Sequence, residues 1–441
     1  MTEHREITIN VPVLTRVEGE GALDLEIREG RIEHLQLRIF EPPRLFEKFL
    51  EGRSYSEVPD IVARICGICP VAYQMSASHA IESIFGINPG PWVRAMRRLF
   101  YCGEWIESHA LHIHLLAAPD FLGFNSAIEM AAKYPEQVRR GLRLQALGNR
   151  IVRTLAGRSV HPVGVRIGGF THAPDKAEMA DLLGECRELL ADAEALVQWV
   201  ASLELPDDDQ AFVSVALRHP DEYAFNEGRI FASDGLDIDI ADFHQHFREI
   251  HVPHSTALHG RYFPEGYAED REGIPYLVGP LARVNLNYAQ LPQAVRDNLA
   301  QTGTRFPSKN MFHSALARAV ELHFALLEAI RQLESYEPSE QHSAEVTPRA
   351  GIGFGCTEAP RGILWHRYEM DAGGKVAQAT ITPPTSQNQA RIEEDLKRSL
   401  ENFGLQRSDD ELRLHGEKVI RNYDPCISCA THFLKVNVAR D

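Results

Sequence analysis

Arg421-Asn422-Tyr423-Asp424-Pro425-Cys426-Ile427-Ser428-Cys429-Ala430-Thr431-His432 stands near one end of the chain, and Arg64-Ile65-Cys66-Gly67-Ile68-Cys69-Pro70 stands near the other. Each holds a Cys-x-x-Cys unit, whose two-residue gap lets both sulfurs turn toward one ion. Together they offer four thiols, a donor set for soft or borderline metals such as zinc, nickel or the iron of iron–sulfur centres. Almost the whole chain separates the pairs, so a shared metal closes the fold upon itself. Compact zinc ribbons keep their ligand pairs close because the metal replaces a missing core. A chain of 441 residues, 44% of them hydrophobic, does not lack one. A structural zinc and a redox Cys-x-x-Cys are the plain readings of the quartet; the wide separation favours a functional metal centre.

The 46 basic and 62 acidic residues give a formal charge of −16, which argues against nonspecific nucleic-acid binding and against an anionic membrane surface. Arg94, Arg97 and Arg98 make a small basic patch, read as a solvated helix face or as salt-bridge partners. Residues 1–10 lack the apolar core of a signal peptide, and no stretch approaches the eighteen or so apolar residues of a transmembrane helix. A cytoplasmic protein is expected. Seven cysteines, four of them in the two tight pairs, do not fit a secreted disulfide framework.

Leu23, Leu25 and Ile27 alternate with charged residues, Glu29-Gly30 turns the chain, and Leu35, Leu37 and Ile39 alternate beyond it. With a third strand from Ile7 to Val13, this predicts a small N-terminal antiparallel sheet. Arg16-Val17-Glu18-Gly19, between strands, reads locally as a surface salt bridge. From Ser56 the period becomes helical: Pro59 suits a first turn, and Ile61, Ile65 and Ile68 share a face. Pro70 cannot donate into an ongoing helix, so the Cys66–Cys69 unit falls at a helix end, where free backbone N–H groups can face anionic sulfur. A second helix runs to Phe85 and stops at Gly86. Residues 91–118 read as one long helix carrying His109, His112 and His114, the first two as a buried core pair. Further helices are predicted at 135–156, 175–203 and 311–334.

Residues 211–289 lack clean periodicity and read as loops with short strands. The expected fold is therefore α+β and predominantly helical, a single domain over 1–432. It has a β-rich part at 1–55, a helical body at 56–210 and 290–432, and the irregular excursion between them. Two segments, Gly355 to His366 and Thr382 to Asn388, read as turns when taken alone. Yet Arg361, held between Pro360 and Gly362, has a fixed approach, and Thr385 and Ser386 can donate hydrogen bonds to small anionic ligands.

Taken together these segments resemble the [NiFe]-hydrogenase large subunit. The resemblance rests on RVEG at 16–19, RICGICP at 64–70, SHALH at 108–112, GCTEAPRGILWH at 355–366, PPTSQN at 383–388 and DPCISCATH at 424–432, in an order that spans almost the whole chain. The form RICGICPVAYQMSA is similar to the cytoplasmic group 3b enzymes, the NAD(P)-linked bidirectional hydrogenases and sulfhydrogenases. The resemblance implies the large-subunit fold and reversible heterolytic cleavage of H2. It makes Cys66 and Cys426 terminal ligands of nickel, and Cys69 and Cys429 bridges from nickel to iron. The iron of this Ni-Fe(CN)2(CO) centre carries its CO and cyanides in a pocket that includes Pro384 and Thr385, and maturation proteins must supply them. Arg361 overhangs the metals, and Glu18 relays protons from Cys426. A terminal thiolate donates to one metal only and is more basic than a bridging one, so it suits the role of base.

The same resemblance gives Glu47 and His432 as ligands of a buried Mg2+ or Fe2+ ion, with an ordinary helical surface acid as the plain alternative for Glu47. Phe433–Asp441 matches an extension that a C-terminal endopeptidase removes. Electrons are expected to leave through an iron–sulfur small subunit, and FAD and NAD(P) to bind diaphorase-type partners, because no GxGxxG unit follows a strand here. One departure stands out: Tyr73 occupies a position where the wider family usually has histidine, which puts tuning near a bridging sulfur in doubt but not ligation. Cys102, Cys186 and Cys356 are read as buried thiols. The competing readings are the same chemistry with a deazaflavin or heterodisulfide-type acceptor, a complex I-like subunit without the cysteines, and a zinc scaffold.

Overall fold

The structure, a computed structural model, describes residues 6–267 and 272–431. Strands β1 (Ile7–Val11), β2 (Gly21–Arg28) and β3 (Arg31–Ile39) form the N-terminal antiparallel sheet in that order. Leu25 pairs with Ile9 on one side and Leu35 on the other, so the alternating apolar residues share a face. Glu29 and Gly30 both have positive φ, as the twist of a tight hairpin requires.

Short helices α1 (Phe46–Leu50) and α2 (Val58–Val62) lead to Cys66. Helix α3 (Pro70–Phe85) has Cys69 as its N-cap residue and Pro70 at its first position, where the missing N–H would be unpaired anyway. It stops at Gly86, which takes the left-handed conformation (φ 67°) without a Cβ penalty. Helices α4 (Gly90–Leu111), α5 (Pro135–Ala156), α6 (Lys176–Ala201) and α7 (His313–Glu334) build the helical body, with α4 packed on both α5 and α7. A Cβ added at Gly148 of α5 would stand 2.5 Å from the Gly103 carbonyl oxygen of α4, so glycine sets this close approach. The single helix expected over 91–118 is interrupted. After Leu111 the backbone widens into a π turn at His112–Ala117 and resumes over Ala118–Leu122.

Short strands fill the aperiodic middle. β4 (Val215–Arg218), β5 (Arg229–Ala232) and β6 (Asp237–Ile238) form one sheet, and β7 (Phe247–Ile250) pairs with β8 (His259–Tyr262). The segment read as turns around Arg361 proves to be mostly strand: β9 (Gly351–Ala359), β10 (Gly362–Met370) and β11 (Val376–Thr382) form an antiparallel sheet with Pro360 and Arg361 at its first turn. PPTSQN likewise opens a helix, α8 (Pro384–Phe403). Then follow α9 (Asp409–Asn422), begun by a capping box of Ser408 and Glu411, and the short α10 (Ile427–Ala430).

Two cores meet at α10. Cys426 and Cys429 join the core of the helical body, whereas Ile427 and Ala430 join the core between the N-terminal sheet, α8 and α9. The arginine patch resolves into ion pairs: Arg94 with Glu222 and Glu227, Arg97 with Glu82, and Arg98 with Glu222 and Glu328. Among the described residues no helix is long and apolar enough to cross a membrane.

Candidate metal centre

The four cysteines that lie far apart in sequence come together in the interior. Their sulfurs all lie within 4.8 Å of one another, with Cys66 3.3 Å from Cys426 and Cys69 3.6 Å from Cys429. All four are buried and free of disulfides. The N–H groups of Ile68 and Cys69, at the start of α3, point at the Cys66 sulfur from 3.3 and 3.4 Å. Hydrogen bonds from Cys426, Cys429 and Cys69 draw the Cys66 pKa well below the thiol range, whereas burial pushes Cys426 and Cys429 up. One thiolate is thus held by its neighbours' protons. A cation is needed to ionise the others, and a coordinated metal supplies one.

Glu18 is laid against this cluster by its own backbone. It forms a parallel bridge with Cys426, its carbonyl accepts from Ile427 N at 2.9 Å, and its Oε2 accepts from Ser428 N at 3.0 Å. Gly19 (φ 90°) permits the approach, since a Cβ there would stand 2.6 Å from Ile427 Cβ. Burial raises the Glu18 pKa and the charge on Cys66 adds to the rise, while hydrogen bonds from Ser428 and Cys426 pull the other way. The local Arg16–Glu18 salt bridge expected from sequence does not form. Arg16 turns to Asp120 Oδ1 at 2.5 Å, and Asp120 also takes Nε and Nη2 of Arg421 at 2.7 and 2.9 Å. One buried carboxylate therefore clamps the Glu18 loop to the helix that leads to Cys426.

Arg361 is buried beside the same sulfurs. Its Nε donates to the Asp424 carbonyl at 2.6 Å and its Nη2 to Asp424 Oδ1 at 2.9 Å, while Nη1 is buried without a protein partner among the described residues. Burial disfavours its charge, but Asp424 and the sulfurs of Cys426, Cys69 and Cys66 reverse this and hold the pKa well above the ordinary value. Behind it Arg283 fixes the hairpin turn, donating to the carbonyls of Ala359 and Pro360 at 2.8 Å each and to both oxygens of Glu321 at 2.7 Å. Tyr223 and His109 complete this network on Glu321. His112 bonds the Arg421 carbonyl at 2.7 Å and His114 that of Ala110 at 3.0 Å, so the core reading of the helix histidines holds.

At the first turn of α8, Thr385 Oγ1 accepts the Cys426 N–H at 3.0 Å, next to the buried Pro384. Tyr73 is buried, its phenol pKa raised first by burial and then by Cys429, Cys69 and Cys426, and its ring lies 5.7 Å from that of His366 at 53°. Glu47 accepts the Ile381 N–H at 2.8 Å. Arg44 N donates to Thr431 O at 2.7 Å, bringing the end of the cysteine segment close to α1. His432 and the extension 433–441 lie outside the described residues.

The family model described as nickel-dependent hydrogenase matches residues 44–142 and 270–432. The alpha chain of sulfhydrogenase 2 from Pyrococcus furiosus is 33% identical over 97% of this chain and 100% of its own length. The chain belongs to the nickel-dependent hydrogenase family. In the F420-non-reducing hydrogenase of Methanothermobacter marburgensis, the matching subunit is 30% identical over 97% of this chain and 95% of its own. The solved structure of an NAD+-reducing [NiFe]-hydrogenase in the H2-reduced state matches with a TM-score of 0.84 at 27% identity, covering 97% and 99% of the two chains. The chain is a [NiFe]-hydrogenase large subunit, similar to the group 3 NAD(P)-linked enzymes and sulfhydrogenases, and the catalytic part of an enzyme that oxidises or produces H2.

The residues present fit such a centre: four buried sulfurs in one cluster, and a buried guanidinium nitrogen that no protein acceptor takes among the described residues. Sequence reasoning missed Asp424, which orients Arg361, and Asp120, which joins the Glu18 loop to α9. Asp424 had a signal, its place two residues before Cys426. The ion pairs of Asp120 span more than a hundred residues and had none.

Proposed function

We propose that this hydrogenase large subunit passes electrons from H2 to NAD(P)+ through partner subunits, and that Glu18 carries the proton away from Cys426. The proton role is supported by one observation: Ser428 N and the Glu18–Cys426 bridge hold the Glu18 carboxylate beside the terminal cysteine. In this reading Cys66, Cys69, Cys426 and Cys429 would hold a nickel–iron centre. The bound metals supply the site at which H2 is split. The chain's residues do the rest. Glu18, which burial makes less acidic than a free carboxylate, takes a proton and hands it on. Arg361 presents Nη1 as a preorganised donor and fixed charge in a site that excludes water. Thr385 holds the backbone of Cys426 and, with Pro384, would line the pocket for the diatomic ligands.

Glu47, with His432, is assigned to a Mg2+ or Fe2+ ion next to the last residues. An iron–sulfur small subunit, together with diaphorase-type subunits that hold FAD, completes the path, in the cytoplasm, after maturation proteins and an endopeptidase have acted. The likeness to an NAD+-reducing hydrogenase supports this acceptor. The F420-non-reducing relatives favour a second reading, the same H2 chemistry with a different acceptor partner. Infrared spectra of anaerobically purified complex test the centre: one CO and two cyanide bands are expected. Their absence from nickel- and iron-loaded protein with the extension removed would overturn it. Assay of the complex with NAD+ and NADP+ against other acceptors under H2 then decides the coupling.

A further inference from the structure

We propose that His254, His259 and Glu393 form a second metal site, for a borderline divalent ion of the zinc class, which fastens the 251–258 loop and β8 to the middle of α8. Their ligand atoms all lie within 4.8 Å of one another. His254 Nε2 is 2.8 Å from Glu393 Oε1, and His259 Nδ1 is 3.9 Å from Glu393 Oε2. The two imidazole rings stand edge to face, 5.5 Å apart.

The observation that points to a ligand is His259. Its side chain is fully buried, yet neither ring nitrogen has a hydrogen-bond partner among the described residues. A neutral imidazole always carries one donor and one acceptor, and burying either without a partner is costly. A hydrogen-bonded pair of His254 and Glu393, with Leu37 N donating to Glu393 Oε1 at 2.9 Å, accounts for the other two residues but leaves His259 unexplained. A metal ion bound by Nδ1 joins all three side chains and meets the acceptor nitrogen of His259, leaving only its Nε2–H unmet among the described residues.

The chemistry selects the ion. Burial, with help from His254 and Arg261, pushes the His259 pKa down to about 3, so the ring is in its ligand form at neutral pH. The nearby Arg261 charge opposes any cation held by electrostatics alone, which disfavours Ca2+ and Mg2+ and favours an ion bound through imidazole nitrogen. Two imidazoles and a carboxylate leave a fourth, tetrahedral position for water. The side chains of His254 and Glu393, 17% and 19% exposed, give the ion an approach from solvent. The site also has leverage. A Cβ on Gly260, the next residue after His259, would stand 2.6 Å from Gln387 Cα, so β8 already touches the helix whose Thr385 holds Cys426.

The full-length chain, with its cysteine centre loaded, is titrated with zinc and studied by metal analysis and zinc-edge X-ray absorption. One equivalent with a first shell of nitrogen and oxygen only, at roughly 2.0–2.1 Å, is expected, lost in both His254→Gln and His259→Gln while cysteine-bound metal is retained. Zinc bound only through sulfur, at roughly 2.3 Å, overturns the proposal, as does nitrogen- and oxygen-bound zinc that survives both substitutions. His259→Gln alters a buried site and can unfold the chain. The partly exposed His254→Gln therefore decides the matter, with circular dichroism matched to the parent.

Discussion

At the scale of single residues the centre divides into parts that name themselves and parts that only contact reveals. Cysteine pairs are legible because their spacing states their chemistry. Glu18 is legible only through the family resemblance: beside Arg16 it reads locally as half of a surface ion pair, and the distant Asp120 takes Arg16 and frees it to face Cys426. Two outcomes are expected. Glu18→Gln should keep nickel and iron yet slow H2/D2O exchange by about 100-fold or more, the scale of a lost acid–base group. Near-parental exchange in metal-loaded variant would remove Glu18 from the relay. Arg361→Lys keeps a charge but cannot make the forked contact with Asp424, so kcat should fall by roughly 100-fold with nickel content unchanged. A raised KM with unchanged kcat would assign Arg361 to gas or ligand access instead.

At the scale of elements, helices with one apolar stripe were legible and the sheet β9–β11 was not. Its residues are buried on both faces near the hairpin turn, which removes the alternation by which a half-exposed strand is recognised. Its glycines carry the reason. A Cβ on Gly355 would stand 2.0 Å from the Ser76 carbonyl oxygen, and one on Gly353 2.2 Å from that of Ala80, so β9 lies directly on α3. Gly355→Ala should push the hairpin off α3, destabilise the fold by about 3 kcal/mol and displace Arg361 relative to Cys69. Reduced metal uptake together with a lower denaturant midpoint checks this, and a parental midpoint would show that the sheet yields without loss. The π turn escaped the sequence reading because apolar periodicity reports which face is buried, not where the helix locally widens.

At the scale of the molecule, burial of histidines sets the response to acid. Burial first, with nearby arginine charges, pushes His109 down to about 4 and His112 and His114 to about 3, from an ordinary 6.5. The folded chain therefore binds fewer protons than the unfolded one as pH drops below 6.5. Stability is full above that value and falls as pH decreases toward 3, by at most about 3 kcal/mol for His109 and about 5 kcal/mol each for His112 and His114. Thermal scans should show a midpoint that declines from about pH 6.5 downward; a flat profile to about pH 4 would contradict these buried, neutral rings. Metal acts in the opposite sense. A centre that only the folded chain can assemble adds about 4 kcal/mol at a thousandfold excess over Kd, so metal-free chain should melt well below loaded chain.

The bridge between Glu18 and Cys426 also has a meaning in time. The two cysteine pairs are separated by 360 positions, and at roughly 5–20 residues per second a ribosome needs about 20–70 s to travel between them. Throughout that interval Cys66 and Cys69 are made and their partners are not. The loop of Glu18 likewise waits for the Cys426 segment it will lie against. The fourth sulfur arrives only with Cys429, so the complete four-thiol site cannot exist before that residue is made.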